Sequence, residues 1–320
     1  MMLYSQFRED YYFRNDLIFG SIRMKVGILT RNRDSWCSVQ LRRSFLKMNA
    51  EPVCFSFKDL TARVGFKPEV SLEEIDVLCD LDAIVVRPIG RGSLEEIIFR
   101  MDLLHRLERL GMYILNNPSA IERAVDKYYA LSLLEENGIP IPRTVVVEDA
   151  GSAISAFREL GGDVVIKPIF GSRGIGSTRI SDIDVAERIF RALDFTHHVL
   201  YIQEFIPHGD YDLRLLILGG NVLASMKRVA DSWKTNISLG AKPFPYNPPD
   251  EIKEIAIKAS EILGCELAGV DILQTSRGPV LVEVNSQPGW KGLQTTTKIN
   301  IADEIASYVL ARSRESKGNR

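Results

Sequence analysis

The chain has 320 residues, enough for about two domains, and its 45% hydrophobic and 26% charged content is that of a folded globular protein rather than a disordered or fibrous one. Forty Lys and Arg against 42 Asp and Glu give a formal charge of −2, so no global basic field exists to hold nucleic acid or an anionic membrane non-specifically, and neither partner is expected. No apolar run approaches the roughly 18 to 20 residues that cross a bilayer, and a cytoplasmic protein is the expectation.

Residues 1–23 are charged and aromatic, lack an apolar signal core, and are expected to be a loose extension before Met24. KVGIL at 25–29 predicts a strand, 38–50 a helix, 51–57 and 83–87 further strands, and 93–110 a helix whose Ser93 and Glu96 have capping-box spacing. Strands separated by helices imply a mostly parallel sheet. After a strand at 113–115, a helix is expected from Pro118 or Ser119 to Asn137-Gly138, and Pro140 and Pro142 then force an extended junction. Beyond it the pattern becomes strand (143–147), helix (151–160), strand (163–167), glycine loop, strand (178–180), helix (183–193) and strand (199–203), a small α+β lobe. A hairpin at 212–225 turning on Gly219 and Gly220, a helix at 249–263, paired strands at 267–273 and 280–285 and a helix at 301–313 complete the pattern. The cysteines Cys37, Cys54, Cys79 and Cys265 stand far apart with no CxxC pair, which suits reduced thiols rather than a zinc site.

The loop PIFGSRGIGS at 168–177 contains Gly171, Ser172, Arg173, Gly174, Ile175, Gly176 and Ser177, and can turn many backbone N–H groups toward one anion. It is neither GxxxxGK[ST] nor a turn into a helix, since Thr178 to Ile180 reads as strand; it is closer in kind to a flexible flap over nucleotide phosphates. Alone it could equally be an ordinary hairpin. Lys167 ends the apolar strand before it and can meet the same phosphates, and Lys127 is a second candidate cation. Further on, Asp271 lies on one strand and Glu283 and Asn285 on the next. The period of two aims Glu283 and Asn285 at one face, and a short hairpin brings Asp271 beside them: two carboxylates and an amide oxygen, hard donors suited to Mg²⁺, unless that face is a solvated outer one. Gln203, Glu204, Phe205 and Ile206 form a strand-like hinge whose backbone could hydrogen-bond an adenine edge. Asp212, Arg214, Lys227, Arg228, Lys234, Asn236 and Lys242 form a locally basic set suited to an anionic substrate.

The ordered run Lys127, VIKPIFGSRGIGS, QEFI, DLR, KRVADSWKTNISLGA, GVDIL and VLVEVNSQPG resembles the ATP-grasp carboxylate-amine ligases of the ribosomal-protein-modifying, α-L-glutamate-adding type, from Met24 to the C-terminus. The resemblance implies an α/β chain with α+β lobes: a pre-ATP-grasp parallel-sheet domain at 24–116, a central ATP-grasp lobe at 117–203 and a C-terminal lobe at 204–320. It implies that Lys127, Lys167, Gly171 to Ser177, Gln203 to Ile206, Asp212 and Arg214 bind ATP, and that Asp271, Glu283 and Asn285 hold two Mg²⁺ or Mn²⁺ ions. Arg228 is implied as the catalytic cation, with Lys234 and Asn236 beside it at the substrates, L-glutamate and a carboxylate acceptor. Homo-oligomers are expected. VVRPIGRG, SWKTNISLGAK and NSQPGWKG look most like the members that act on tetrahydromethanopterin, with coenzyme F420, an amino-group carrier protein or a ribosomal-protein C-terminus as alternative acceptors and a non-catalytic ATP-binding regulator as the rival. Lys234, where many relatives carry arginine, and SQPGW, in place of the more usual S-P-G-L, are departures near the acceptor site. No Ser-His-Asp or Cys-His set is evident, so catalysis is expected to rest on positioning and charge.

Overall fold

The computed structural model describes residues 23–171 and 176–318; residues 1–22 of the expected extension, and Ser172, Arg173, Gly174 and Ile175 of the glycine loop, lie outside them. The chain begins with β1 (Lys25–Leu29), α1 (Trp36–Lys47) and β2 (Glu51–Phe55). A small antiparallel sheet follows, formed by β3 (Leu60–Ala62), β4 (Val70–Leu72) and β5 (Ile75–Asp76). These strands are too short for any periodicity to announce them. Next come α2 (Val77–Asp80), β6 (Ala83–Val86), α3 (Leu94–Arg109) and β7 (Tyr113–Leu115). The first sheet has order β2-β1-β6-β7 and every pair in it is parallel. Its central strands β1 and β6 are almost wholly apolar because both faces are covered. The predicted capping box is present at α3: the Ser93 hydroxyl accepts from the Glu96 N–H, and the Glu96 carboxylate accepts from the Ser93 N–H.

The single helix expected after Pro118 is two, α4 (Pro118–Val125) and α5 (Lys127–Glu136). Asp126 ends the first and caps the second, its carboxylate accepting the N–H groups of Tyr128 and Tyr129, both at 3.0 Å. A side chain that takes two backbone donors offers the chain an alternative to continued helix, which is why the break falls here. Next come β8 (Thr144–Val147), α6 (Ala150–Glu159), β9 (Val164–Lys167), β10 (Thr178–Ile180), α7 (Ile183–Phe195) and β11 (Leu200–Glu204), forming an antiparallel sheet of order β10-β9-β11-β8. The last sheet contains β12 (Tyr211–Leu218), β13 (Asn221–Val229), β14 (Lys242–Pro245), β15 (Leu267–Thr275) and β16 (Gly278–Asn285), in the order β14-β13-β12-β15-β16. It is flanked by α8 (Asp250–Leu263), α9 (Lys291–Gln294) and α10 (Ile301–Gly318).

The faces of this last sheet explain how the molecule is assembled. On one face, Leu213, Leu215, Ile217, Val270 and Ile272 pack against α8 and against Ala120, Ala124, Leu131 and Leu134, so α4 and α5 belong to this core rather than to that of the middle sheet. On the other face, Leu216, Leu218, Ala224, Met226 and Leu267 share a core with Val26, Ile28, Ala83 and Val85 of the first sheet and with the inner side of α10. The first and last sheets are thereby welded through roughly half of that face. The alternation then carries the rest of the same face, from Arg214, Asp212, Arg228 and Asp271 onward, out from under the cover. The middle sheet has a core of its own, built on Phe157, Phe190, Leu200 and Ile202.

Candidate functional site

The half of the face beyond the first sheet carries a buried ion network set by strand register. Asp212 faces Arg228 across β12 and β13, Arg214 faces Asp271 across β12 and β15, and Asp271 faces Glu283 across β15 and β16, next to an irregularity in the β15 register. The Arg228 guanidinium donates twice to Asp212, through Nε at 2.7 Å and Nη2 at 2.5 Å, and Nη2 lies 3.0 Å from Asp271 Oδ1. Arg214 Nη1 donates to the same Oδ1 at 2.6 Å. Gly269 makes this possible, since a Cβ there would stand 2.6 Å from the Arg214 guanidinium. Burial by itself raises the Asp271 carboxyl, but Arg214 and Arg228 outweigh it and hold it below its ordinary value. Burial likewise lowers Arg228, and Asp271 and Asp212 more than offset this, so Arg228 is firmly charged.

Opposite the network stand two lysines. Lys167, at the end of β9, donates to Gln203 Oε1 at 2.7 Å, and the Gln203 amide donates onward to Thr144 and to the Tyr201 hydroxyl. Burial brings the Lys167 ammonium down to about 8, against the pull of Glu283. Lys127, aimed by the break at Asp126, holds the stem of the glycine loop by donating to the carbonyl oxygens of Ile169 and Gly171, at 3.3 and 2.9 Å, and lies 3.8 Å from Glu283. It too is lowered by burial. The resulting cleft is lined by Lys127, Lys167, Gly171, Ser177, Gln203, Glu204, Phe205, Ile206, Asp212, Arg228, Lys234, Asn236, Asp271 and Glu283.

Other expected site residues stand elsewhere. Arg214 touches the cleft through Asp271 rather than lining it, and Gly176 and Asn285 are set back from the lining. The Asn285 amide is 3.5 Å from the Gly269 carbonyl oxygen, although strand alternation keeps it on the Glu283 face. The Glu204 carboxylate is occupied by the backbone N–H and guanidinium of Arg143. Lys227, which the sequence groups with the basic set, points to the opposite face and lies over the rings of Tyr211 and Tyr246; Lys242 is exposed on β14. Sequence reasoning missed an aromatic wall. Trp233 meets Phe205 edge-on at 6.1 Å, His208 lies tilted against Phe205, and Pro142 and Thr235 line the same cleft. Trp233 precedes Lys234 in SWKTN, and a tryptophan inside a basic loop was the available signal.

The donor set fits a hard divalent cation. Both arginine contacts fall on Oδ1 of Asp271, which leaves its other oxygen, the Glu283 carboxylate and the Asn285 amide oxygen on one sheet face. Among the described residues no group of three or more His, Cys, Asp or Glu side chains stands together, and the set here is two carboxylates with an amide.

The family model of the RimK-like ATP-grasp domain matches residues 124–309. A tetrahydromethanopterin:alpha-L-glutamate ligase of Methanococcus maripaludis is 33% identical over 91% of this chain and 100% of that protein. A probable alpha-L-glutamate ligase of Syntrophotalea carbinolica is 30% identical over 89% and 95%. Among solved structures, a RimK domain ATP-grasp protein from Sphaerobacter thermophilus superposes with a TM-score of 0.72 at 22% identity, covering 89% of this chain and 99% of its own. The ATP-grasp ligase PsnB, solved with Mg and ADP, gives 0.69 at 18%, covering 91% and 99%. No helix among the described residues is long and apolar enough to cross a membrane. With its four sheets, a cleft edged by Gly171 and Ser177 and more than half its length matched by the domain model, the chain belongs to the RimK-like ATP-grasp family of ligases.

Proposed function

We propose that the protein is an ATP-dependent carboxylate-amine ligase that adds L-glutamate, with tetrahydromethanopterin as its acceptor. The observation that carries the reading is the convergence of Lys127, Lys167, Arg228, Asp271 and Glu283 in one cleft edged by Gly171 and Ser177. The names of the relatives, three of which are tetrahydromethanopterin:alpha-L-glutamate ligases at 31 to 33% identity, support the choice of substrates. In this reading Lys127 and Lys167 neutralise the polyphosphate of ATP, and the hinge from Gln203 to Ile206, with Phe205 and Trp233, receives the base. Asp271, Glu283 and Asn285 would hold Mg²⁺ or Mn²⁺, in two positions, and bound metal supplies further neutralisation of phosphate charge.

An oxygen of the acceptor carboxylate attacks the γ-phosphorus of ATP and ADP leaves, giving an acylphosphate. The glutamate amine then attacks the acyl carbon, and phosphate departs with the oxygen that had belonged to the carboxylate, leaving an amide. No protein nucleophile is required. Arg228, held charged and fixed by Asp212 and Asp271, uses its remaining Nη1 edge against the oxyanion that develops in either step. The test is ADP release with L-glutamate across a panel of acceptors: tetrahydromethanopterin, coenzyme F420, a carrier-protein C-terminus and a ribosomal-protein C-terminal peptide. ADP formed only when glutamate and one acceptor are both present supports the ligase reading. ADP formed without either contradicts it, as would full turnover by Asp271→Ala or Glu283→Ala, both expected to be inactive.

A further inference from the structure

We infer that the junction between the loop after β6 and the loop after β16 is a carboxylate subsite, in which Arg87 and the side-chain N–H groups of Gln287 and Trp290 receive a carboxylate of the incoming amino acid. This rests on the glutamate-ligase reading above. Arg87 is 5% exposed, donates through Nη2 to the Pro288 carbonyl oxygen at 2.9 Å, and lies with its Cζ 4.7 Å from the Trp290 ring centroid. Among the described residues, three buried side-chain nitrogens here have no partner: Nη1 of Arg87, Nε2 of Gln287 and Nε1 of Trp290. Gln287 spends its amide oxygen on the Ile89 N–H, so what its side chain has left is a donor as well.

A buried cluster whose unpartnered atoms are all donors has the polarity of an anion site, and a carboxylate brings about four lone-pair positions to meet it. Buried cations are ordinarily paired. Arg87 is not: burial lowers it, only Cys37 pulls the other way, and among the described residues no Asp or Glu counters it. Arginine nevertheless stays protonated in proteins, so the charge remains to be answered by a ligand.

The place in the fold agrees. β1 and β6 are neighbours in the parallel sheet, and the chain leaves them toward β2 on one side and β7 on the other. The crevice beyond the C-terminal ends of such a strand pair is where open α/β sheets bind ligands. Arg31, just after β1, lies along the same crevice against Gly90, where the φ of +86° and the absence of a side chain let its guanidinium approach; a Cβ there would be 2.1 Å from its Cδ. Gln287 is two residues beyond Asn285, at most about 7 Å along the chain, so an amino acid seated here can present its amine to the cleft. Pro88 and Gly289 are exposed, which puts the subsite just beneath the surface.

The test is calorimetric binding of L-glutamate to the full chain in the presence of Mg²⁺ and AMP-PNP, with AMP-PNP binding and thermal midpoint measured alongside. Arg87→Gln is expected to weaken L-glutamate by about 10- to 100-fold, the loss of charge-assisted hydrogen bonds, with AMP-PNP affinity within about twofold of wild type on the same scale. Gln287→Glu, which supplies the missing anion internally, is expected to raise the thermal midpoint while weakening L-glutamate. Unchanged L-glutamate affinity in both variants would overturn the subsite, with water then answering the donors. Parallel loss of AMP-PNP and L-glutamate binding in both would overturn it too, making Arg87 a structural strut. Failure of the wild-type protein to bind L-glutamate at all would overturn the glutamate reading itself, and this inference with it.

Discussion

At the scale of single residues, Lys167 is the most exposed to experiment because its charge is poised. Burial brings its ammonium from 10.5 down to about 8 in the free protein, so above that pH the group proposed to meet the polyphosphate is increasingly neutral. Affinity for ATP is therefore predicted to weaken through about pH 8, by up to about tenfold per pH unit if one proton is required. Titration of ATP affinity between pH 7 and 9.5 checks this, and a flat profile would contradict it. Folding stability moves the other way. Between the folded value of about 8 and the unfolded value of 10.5 the unfolded chain binds more protons, so the lysine's contribution to stability rises across that window. Asp271, Glu283 and Lys167 were legible in the sequence because each interrupts an apolar strand. Arg87 was not singled out, since its burial depends on Pro288 and Trp290, about two hundred positions away.

At the scale of elements, the break between α4 and α5 does the positioning. A continuous helix would carry Lys127 around with its turn; the cap at Asp126 restarts the helix and places the Lys127 ammonium on the carbonyl oxygens of Ile169 and Gly171. Asp126→Ala is predicted to cost about 1 kcal/mol of stability, as lost N-caps do, and to raise the KM for ATP. Denaturant unfolding and initial-rate kinetics measure the two effects. An unchanged KM would mean that Lys127 finds its place without the cap. The helical pattern on both sides of Asp126 is uninterrupted in the sequence, so the break could not be read there. The Asp271–Glu283 pairing could, because hairpin strands of known period leave little freedom.

At the scale of the whole molecule, the first and last sheets are clamped by one side chain. Asn116 donates to the carbonyl oxygens of Leu267 and Ser286, at 2.7 and 2.6 Å, and accepts from the Leu267 N–H at 2.8 Å, all of them buried. The clamp sits at the foot of β15 and just past the end of β16, the two strands that carry Asp271 and Glu283. Asn116→Ala leaves a buried N–H and two carbonyl oxygens unanswered and is predicted to cost about 3 kcal/mol. A loss below about 0.5 kcal/mol in urea unfolding, the range of an ordinary surface change, would contradict the clamp. The sequence shows the strands on each side but not this contact, whose partners are 151 and 170 residues away. The middle sheet, with its separate core and glycine loop, is held to the rest by fewer shared side chains.

The central claim is that a carboxylate is activated by phosphoryl transfer and captured by an amine. Acceptor carrying ¹⁸O in its carboxylate, incubated with ATP and L-glutamate, tests this most directly through the isotopic content of the released phosphate. The account predicts one ¹⁸O transferred to phosphate for each amide formed, and no transfer with Asp271→Ala. Phosphate free of ¹⁸O alongside amide formation would contradict it.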